Sequence, residues 1–299
     1  MENTKKSNVL SLGTVKLGMP DYGFSSDKNN LPFDPVVFLK NAERKGICSF
    51  DTSPRYGKSE EVLGRYILQA QKNPFVSSKI DNLSPGNHDT PKIMLASVRN
   101  SLLKLHLKQL DVCYIHQSEM EIIADPYVHE GLALLKQQKL IRYAGAGLYT
   151  FQECEYALTT GLFEYIQIPV SIFDLTYFNQ FVSGKKNSVH FVARSLLLQG
   201  ILVNRKGIID RIRQSQPILN YLDQLDQVAE ECGLSTLELA LAFVFSLQGI
   251  NNFLIGTTSV KNLEMDIACL NLKLPPRAFS RVFDMASEAK AWTNPRNWK

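Results

Sequence analysis

Short apolar segments alternate along the chain with longer segments in which apolar residues recur every three or four positions. The first pattern is typical of buried strands, and the second of helices that bury one face. Residues 34–45 illustrate the helical pattern, because Asp34 can cap a helix, Pro35 suits its first turn and Gly46 can end it. This segment predicts a helix from Asp34 to Lys45.

Eight apolar runs are predicted to be strands, and helical patterns follow most of them. In chain order they read LSLGTV, ICSF, PFVSSKI, LDVCYIH, RYAGAG, YIQIPV, SVHFVAR and NNFLIG. Two of the helix starts carry predicted capping boxes, formed by Thr150 with Glu153 and by Ser235 with Glu238.

This alternation predicts an α/β protein with the fold of a (β/α)8 TIM barrel, built as a single domain from residues 1–299. Parallel strands need helical crossovers, and a closed barrel leaves no strand edge unpaired. An open doubly wound sheet is the alternative, and it is disfavoured because no complete GxGxxG opens a helix after a strand. The connection from Gln199 to Pro217 is long and charged, which is typical of a lid or binding loop.

Composition and charge narrow the class of protein. Hydrophobic residues make up 44% and charged residues 21%, which is typical of a folded globular chain. The 33 Lys and Arg and 29 Asp and Glu are dispersed, so no nucleic-acid partner is predicted. No apolar run is long enough to span a bilayer and the start MENTKKSN lacks a signal peptide, so we expect a cytoplasmic location and no membrane partner. Five widely spaced cysteines predict buried, reduced thiols, not disulfides or a metal site.

Three titratable side chains lie at the ends of consecutive predicted strands, the face of a barrel that carries active sites. Asp51 ends strand 2, Lys79 nearly ends strand 3 and His116 ends strand 4, while Tyr56 follows strand 2. Taken singly, each has an ordinary interpretation as a turn, packing or locally hydrogen-bonded residue. Neighbouring strands would bring all four into one pocket, and this convergence favours a catalytic set.

The four residue types together suit proton donation to a carbonyl oxygen. The Lys79 ammonium is expected to lower the pKa of Tyr56, and Asp51 to keep Lys79 charged. His116 could donate a hydrogen bond that orients the substrate oxygen. Because no side chain supplies hydride, a nicotinamide cofactor would be needed.

At these residues the chain resembles the aldo-keto reductase family, and the resemblance extends over nearly its whole length. GICSFDTSPRYGKSEEVLG is similar to the family's Asp-and-Tyr signature, VSSKI to its lysine strand and LDVCYIH to its histidine strand. IRYAGAGLYT, YIQIPVSIFD, ARSLLLQGIL and FLIGTTSVKNLEMDI are similar to later family blocks, in the expected order. The resemblance implies an eight-stranded barrel that usually works with NADPH and reduces a carbonyl, with Tyr56 as the proton donor and Lys79, Asp51 and His116 completing the tetrad.

The resemblance also implies a cofactor site, although several blocks depart from the family pattern. Gln167 matches the residue expected for the nicotinamide carboxamide, while Gly147 and Leu148 replace the usual Ser-Asn pair. A carboxylate at Asp266 would repel a 2′-phosphate but could accept a hydrogen bond from a 2′-hydroxyl, so NADPH is the family default and NADH stays open. The remaining positions of the implied cofactor site are Arg194, Ser195, Leu196, Gly256, Ser259, Lys261 and Asn262, with Met265 next to Asp266.

Two other functional hypotheses accompany the carbonyl reductase. The altered cofactor positions leave open a nicotinamide-nucleotide-binding regulatory or scaffold subunit with little turnover. A metal-dependent barrel hydrolase is disfavoured because its ligands would cluster, and no metal site is predicted. The histidines are instead scattered, at His88, His106, His116, His129 and His190.

The substrate is expected to be a small carbonyl compound held by segments that follow the strands. Residues 18–30 and the C-terminal tail 287–299 are the candidate segments, and Tyr22, Trp292 and Trp298 could stack on a sugar or simply pack. The opening LGTVKLGMPDYG and the ending NPRNW resemble a bacterial branch of the family associated with surface-polysaccharide gene clusters. That resemblance implies a keto or aldehydo sugar, or its nucleotide-linked form.

Overall fold

The barrel predicted from the sequence is present, and it is closed. The computed structural model describes residues 9–22, 34–186, 188–212 and 215–294. Eight parallel strands follow one another in chain order, and β8 pairs with β1, which excludes the open sheet. The strands are β1 Leu10–Gly13, β2 Ser49–Asp51, β3 Phe75–Ile80, β4 Leu110–Ile115, β5 Ile141–Gly147, β6 Tyr165–Pro169, β7 His190–Arg194 and β8 Asn252–Ile255.

Helices surround the barrel and connect its strands. Two short 3₁₀ segments, Leu198–Val203 and Ala291–Thr293, accompany them. The helices are α1 Val15–Gly18, α2 Pro35–Arg44, α3 Ser59–Ile67, α4 Thr90–Leu105, α5 Met120–Ile123, α6 Pro126–Gln137, α7 Phe151–Thr160, α8 Thr176–Phe181, α9 Arg205–Arg211, α10 Gln216–Glu231, α11 Thr236–Phe245, α12 Val260–Cys269 and α13 Pro276–Ser287.

Three helix starts follow the capping chemistry read from the sequence. The Asp34 side chain accepts hydrogen bonds from the amides of Val36 and Val37, so α2 begins at Pro35 as predicted. Both predicted capping boxes are formed, at the starts of α7 and α11. The side chain of an N-cap residue satisfies amides that have no partner within the helix, which is why these positions determine where the helices begin.

Two segments differ from the predicted pattern. The run LSLGTV is a strand only to Gly13, because the chain turns at Thr14 into the short helix α1. The connection 199–217 contains part of a 3₁₀ segment and the helix α9, so its described part is largely ordered into short helical pieces.

The inside of the barrel contains a cavity with a mixed polar and apolar lining. Its volume is about 370 Å³, and hydroxyl and amide side chains, including those of Tyr114 and Gln167, line it together with apolar residues such as Phe75 and Leu254. Its lining includes the first residues of several strands, such as Ser49 and His190, so the cavity lies towards the amino-terminal end of the barrel. It extends along the barrel interior as far as Asp51. Active sites of such barrels lie at the opposite, carboxyl end.

Two further features concern the membrane and thiol predictions. None of the helices within the described residues has both the length and the apolar run needed to cross a membrane. All five cysteines are free thiols. Cys113, Cys154 and Cys269 are buried, whereas Cys48 and Cys232 are only partly buried, so the prediction of buried thiols was wrong for those two.

Candidate active site

A buried ion pair lies at the centre of the site. Asp51 is the last residue of β2 and Lys79 is near the end of β3, and the two strands are paired so that Asp51 lies beside Ser77. The Lys79 Nζ contacts both carboxylate oxygens of Asp51 and donates to the carbonyl of Thr52 at 2.9 Å. Burial opposes the charge of Lys79, but Asp51 and Tyr56 outweigh it and raise its pKa. Lys79 is therefore held as an ammonium.

The loop that carries Tyr56 is fixed by a close approach of α1. A Cβ added to Gly18 would lie 1.7 Å from the carbonyl oxygen of Tyr56, and one added to Gly57 would lie 2.5 Å from the carbonyl oxygen of Gly18. Gly57 also has a φ of +57°, which glycine adopts without strain. Only glycine at both positions lets the two backbones touch.

A buried hydroxyl network fixes the other end of this loop. Ser59 Oγ lies 2.7 Å from Thr14 Oγ1 and 3.0 Å from Thr52 Oγ1. Thr14 Oγ1 in turn donates to the carbonyl of Asp51 at 3.0 Å. These hydroxyls connect the end of β1, the end of β2 and the start of α3, so the segment between Thr52 and Ser59 that contains Tyr56 has both ends anchored.

Tyr56 projects into the same place as Lys79. Lys79 Nζ is 5.2 Å from the centre of the Tyr56 ring. Burial raises the pKa of the Tyr56 hydroxyl, Lys79 lowers it and Asp51 raises it, with a net upward shift. The sequence-based expectation of a lowered pKa was wrong in direction, because removal of water from the hydroxyl outweighs the ammonium. Tyr56 is therefore a protonated donor at neutral pH.

His116 directly follows β4 and faces Tyr56. The two rings meet edge to face, with centres 6.3 Å apart. His116 Nδ1 lies 2.9 Å from Asp81 Oδ2, and Arg55 Nε lies 2.5 Å from the same oxygen, although neither contact is aligned as a hydrogen bond. Burial lowers the pKa of His116, Lys79 lowers it further, and Asp81 raises it. The structure thus brings all four predicted catalytic residues together.

Several residues of this cluster were missed in the sequence. Tyr114 is buried on β4 beside Lys79, whose Nζ is 5.8 Å from its ring centre, and burial raises its pKa well above the usual value. Tyr114 lies two residues before His116, and Asp81 lies two residues after Lys79. Because strand side chains alternate between faces, these spacings were signals that each lies on the same face as its neighbour. Arg55 carried no comparable signal.

Gln167 lies on β6 within the barrel. Its Nε2 donates to Asp51 Oδ2 at 3.3 Å, and its side chain is buried. Gly147 lies opposite it on β5, and a Cβ at Gly147 would meet only Gln167 Oε1, at 3.8 Å. Gln167, the residue expected to bind the nicotinamide carboxamide, thus lies next to the Asp51–Lys79 ion pair and is already hydrogen-bonded to the Asp51 carboxylate.

The last residue of β7, Arg194, places a cation over an aromatic ring. The Arg194 guanidinium is 4.0 Å from the centre of the Tyr149 ring and donates to the carbonyl of Leu148 at 2.8 Å. Ser195 has a φ of +61°, and Leu196 is buried. A positive φ in a residue other than glycine is uncommon and is often retained at functional sites.

A second group of predicted residues lies after β8, at the start of α12. A Cβ at Gly256 would meet no atom within 4 Å, so its backbone borders open space. Ser259 caps α12 by accepting from the Asn262 amide at 3.3 Å, and Lys261 is exposed in the first turn. Open space and a cation at a helix amino terminus suit a phosphate group.

Asp266 lies further along α12 and is buried. Burial raises its pKa to about 7. Its carboxyl group is therefore substantially protonated near neutral pH, which weakens the repulsion of a 2′-phosphate expected from the sequence.

The predicted substrate segments are described in part. Tyr22 is 44% exposed, and its hydroxyl is close enough to Tyr149, Arg194 and Lys79 for them to affect its pKa. Trp292 packs edge-on against Phe173, with ring centres 5.5 Å apart. Residues 23–30 and 295–299, including Trp298, lie outside the described residues.

In the described part of the chain, no group of three or more His, Cys, Asp or Glu side chains could hold a metal ion.

Two relatives with named activities match this chain over most of its length. The chain is 25% identical to L-galactose dehydrogenase of Arabidopsis thaliana, over 89% of this chain and 88% of the relative. It is 23% identical to the NADH-specific methylglyoxal reductase of Escherichia coli (strain K12), over 93% and 94% of the two chains.

Solved structures share the fold. An aldo/keto reductase from Klebsiella pneumoniae, in complex with NADP and acetate, superposes with a TM-score of 0.71 at 17% identity, covering 94% of this chain and 92% of that one. A glycerol dehydrogenase from Gluconobacter oxydans superposes with a TM-score of 0.72 at 19% identity, covering 92% and 90%. The model of the aldo/keto reductase family, whose members are NAD(P)H-dependent oxidoreductases acting on carbonyls, matches residues 9–286, and the chain therefore belongs to this family.

Proposed function

We propose that this protein reduces an aldehyde or ketone with NAD(P)H, and that Tyr56 protonates the carbonyl oxygen. One observation carries the proposal: a buried Lys79 ammonium contacts the Asp51 carboxylate and lies beside the protonated Tyr56 hydroxyl. An acid with a raised pKa keeps its proton until a strong base develops nearby, and a carbonyl oxygen becomes such a base as hydride reaches its carbon.

Each residue of the cluster has a distinct task in this proposal. A reduced nicotinamide, when bound, supplies the hydride. Tyr56 gives its proton to the oxygen, and Lys79 stabilises the phenolate that results. Asp51 holds Lys79 charged and in place. His116, facing Tyr56, donates a hydrogen bond to the same oxygen and orients it.

The cofactor is proposed to lie across the carboxyl end of the barrel. Gly147 and Gln167 would hold the nicotinamide end, with Arg194, Ser195 and Leu196 along it. Gly256 and the start of α12, with Ser259, Lys261, Asn262 and Asp266, would hold the phosphate and adenosine end. The open space at Gly256 fits such a group. We propose NADPH as the usual cofactor, supported by the weakened charge of Asp266, with NADH as the alternative because one relative is named as NADH-specific.

The substrate is proposed to be a hydroxylated carbonyl compound such as a sugar or nucleotide sugar. Relatives include an L-galactose dehydrogenase and an L-glyceraldehyde 3-phosphate reductase, and both names refer to a sugar or a sugar phosphate. Tyr22, Tyr149 and Arg194 at the site would supply hydroxyl and guanidinium groups for such a molecule. A panel of sugar aldehydes, nucleotide sugars and aromatic aldehydes, assayed in both directions with both cofactors, tests this. Exclusive activity on aromatic aldehydes would count against a sugar.

Replacing Tyr56 with phenylalanine tests the central role. Tyr56→Phe should lower kcat by about 10²-fold or more, because it removes the proton donor but keeps the ring, while the affinity for NADPH stays within about twofold. Tyr156→Phe is the matched control, since its hydroxyl contacts His129 on the outer helices. Full activity in Tyr56→Phe would overturn the proposal.

A catalytically weak nucleotide-binding subunit is the second candidate. It is favoured by the engagement of Gln167 with Asp51 and of the Leu148 carbonyl with Arg194, which leaves fewer groups ready for the nicotinamide amide. Nucleotide fluorescence during titration with NADPH and NADH separates the candidates when it is combined with the substrate panel. Tight binding without turnover of any carbonyl would favour this candidate, and binding of neither nucleotide would count against both.

A further inference from the structure

Asp81 and Arg55 form a charged arrangement behind His116 that the tetrad does not include. Asp81 follows β3 directly and is nearly buried, with a 5% exposed side chain. Its Oδ1 accepts from the amide of Asn82 at 2.8 Å. Its Oδ2 lies 2.9 Å from His116 Nδ1 and 2.5 Å from Arg55 Nε, and Arg55 also donates to Asn82 Oδ1 at 3.2 Å. The Asn82 amide therefore anchors one carboxylate oxygen, and the other lies close to both the Arg55 guanidinium and one ring nitrogen of His116, although neither of these two contacts is aligned as a hydrogen bond.

The contact between Asp81 and His116 Nδ1 affects which ring nitrogen carries the proton when the imidazole is neutral. A carboxylate only accepts hydrogen bonds, so a neutral histidine beside it is stabilised with its proton on the facing nitrogen. In this site the facing nitrogen is Nδ1, and the remaining Nε2 would then carry a lone pair. A lone pair repels a carbonyl oxygen, but it accepts a hydrogen bond from an alcohol.

We propose that Asp81, held by Arg55, is a positioning residue that keeps the proton of neutral His116 on Nδ1, so that His116 donates from Nε2 to a substrate oxygen only as imidazolium. This inference rests on the proposed function for its kinetic consequence, though not for the tautomer itself. The protonation state of His116 then decides which compound it binds better: the charged ring donates a hydrogen bond to the carbonyl oxygen, and the neutral ring accepts one from the alcohol.

The charges around His116 determine the pH range over which the ring changes from charged to neutral. Lys79 and Asp51 face it from β3 and β2, Asp81 follows β3, and Arg55 lies in the loop that also carries Tyr56. Burial and Lys79 lower the pKa of His116 below its usual value of about 6.5. Carbonyl reduction should therefore decline across neutral pH, while alcohol oxidation should not lose this contribution.

The tautomer can be measured directly by ¹⁵N NMR on histidine-labelled protein, which requires no activity. Comparison with His116→Gln identifies the signals of His116 among the five histidines. His129 is an internal control of opposite tautomer, because its Nε2 lies 2.8 Å from the carbonyl of Ile123 and must carry the proton to bond it. We expect neutral His116 to be protonated on Nδ1. A proton on Nε2 in the wild-type protein would overturn the proposal.

Asp81→Asn should move the proton, because an amide can donate to Nδ1 and leave the hydrogen on Nε2. In the wild-type enzyme, kcat/KM for reduction should fall about tenfold or more between pH 6 and 8, and in Asp81→Asn it should change less than about twofold. An unchanged tautomer in the variant, or the same pH profile in both enzymes, would count against the proposal. Asp89→Asn, an exposed aspartate paired with Lys92, is the control substitution.

Arg55→Gln keeps the proposal testable if Asp81→Asn does not fold. Removing the guanidinium leaves Asp81 Oδ2 to His116 alone, so the pKa of His116 measured by NMR titration should rise. An unchanged pKa would remove Arg55 from the arrangement and contradict the proposal. If no carbonyl compound is reduced but the Nδ1 tautomer is observed, the proposed function fails while the role of Asp81 stands.

Discussion

Lys79 combines a high cost of burial with a specific compensation. Moving an ammonium out of water costs several kcal/mol unless its partners replace the lost hydration. Lys79 has the Asp51 carboxylate and the carbonyl of Thr52, and its side chain is only 6% exposed. A buried ion pair is seldom the most stabilising choice for a core, because apolar residues of similar size often serve as well. Its presence beside Tyr56 is better explained by chemistry than by stability.

Asp266 shows the opposite case, a buried carboxyl whose charge is disfavoured. Its pKa is about 7 in the folded protein against 3.8 for an ordinary aspartate. Below about pH 4 the group is protonated in both states. Between pH 4 and 7 the unfolded chain loses the proton while the folded protein keeps it, so the free energy of unfolding falls as pH rises and levels off above about pH 7.

Asp266→Asn should remove this decline. We expect the variant to gain on the order of 2–4 kcal/mol in free energy of unfolding, relative to wild type, between pH 4.5 and 8. Urea denaturation at several pH values measures the difference. Met265→Leu, which changes a neighbouring residue that does not titrate, should differ from wild type by the same amount at every pH. A difference between Asp266→Asn and wild type that does not depend on pH would contradict the argument.

Strand β5 shows how the barrel makes room for a large side chain in its centre. Gly145 lies opposite Tyr114 on β4, and a Cβ at Gly145 would lie 2.5 Å from two atoms of the Tyr114 ring. The ring cannot easily retreat because Tyr114 is only 2% exposed. The glycine is thus required by packing across the barrel.

Gly145→Ala should lower the free energy of unfolding by about 1–3 kcal/mol, the usual cost of an overpacked core. Gly147→Ala is the matched control on the same strand, because its Cβ would have only an ordinary contact with Gln167. We expect the control to cost less than about 0.5 kcal/mol. Equal losses in urea denaturation of the two variants would show that strand glycines, and not the Tyr114 ring, determine the effect.

The elements were predictable because each carries its own local signal. The eight strands were visible as apolar runs, and α2, α7 and α11 were visible as caps followed by a helical period. The short helix α1 was missed because four residues are too few to show a period. The roles of Gly18 and Gly57 were missed for another reason: they depend on two distant backbones touching, and no local pattern records that contact.

Closure of the barrel gives the site most of its geometry at the scale of the whole molecule. Pairing of β1 with both β2 and β8 brings the first and last strands together, so the ends of β2, β3 and β4 share one face with those of β6, β7 and β8. The cluster of Asp51, Tyr56, Lys79 and His116 could be predicted once the barrel was inferred, since neighbouring strands end side by side. The ionisation of Tyr56 could not, because it depends on how completely the folded chain excludes water.

The C-terminal segment joins this face from the far end of the chain. Trp292 packs on Phe173 and on Tyr221 of α10, and Thr293 Oγ1 donates to Asp174 Oδ2 at 2.6 Å. Phe173 and Asp174 belong to the loop after β6, the strand that carries Gln167. The segment therefore supports a loop at the carboxyl end of the barrel, where we propose that the substrate binds.

Trp292→Ala should weaken substrate binding more than the chemical step. Loss of the indole leaves Phe173 without one of its aromatic contacts, so the loop after β6 is held less firmly, whereas the Tyr56 cluster lies on other strands. We expect KM to rise about tenfold, equivalent to about 1.4 kcal/mol, with kcat within about twofold. Trp292→Phe keeps an aromatic contact and should recover most of the affinity. A fall in kcat at unchanged KM would instead place Trp292 in the path of the chemistry, because only interactions gained in the transition state change kcat alone.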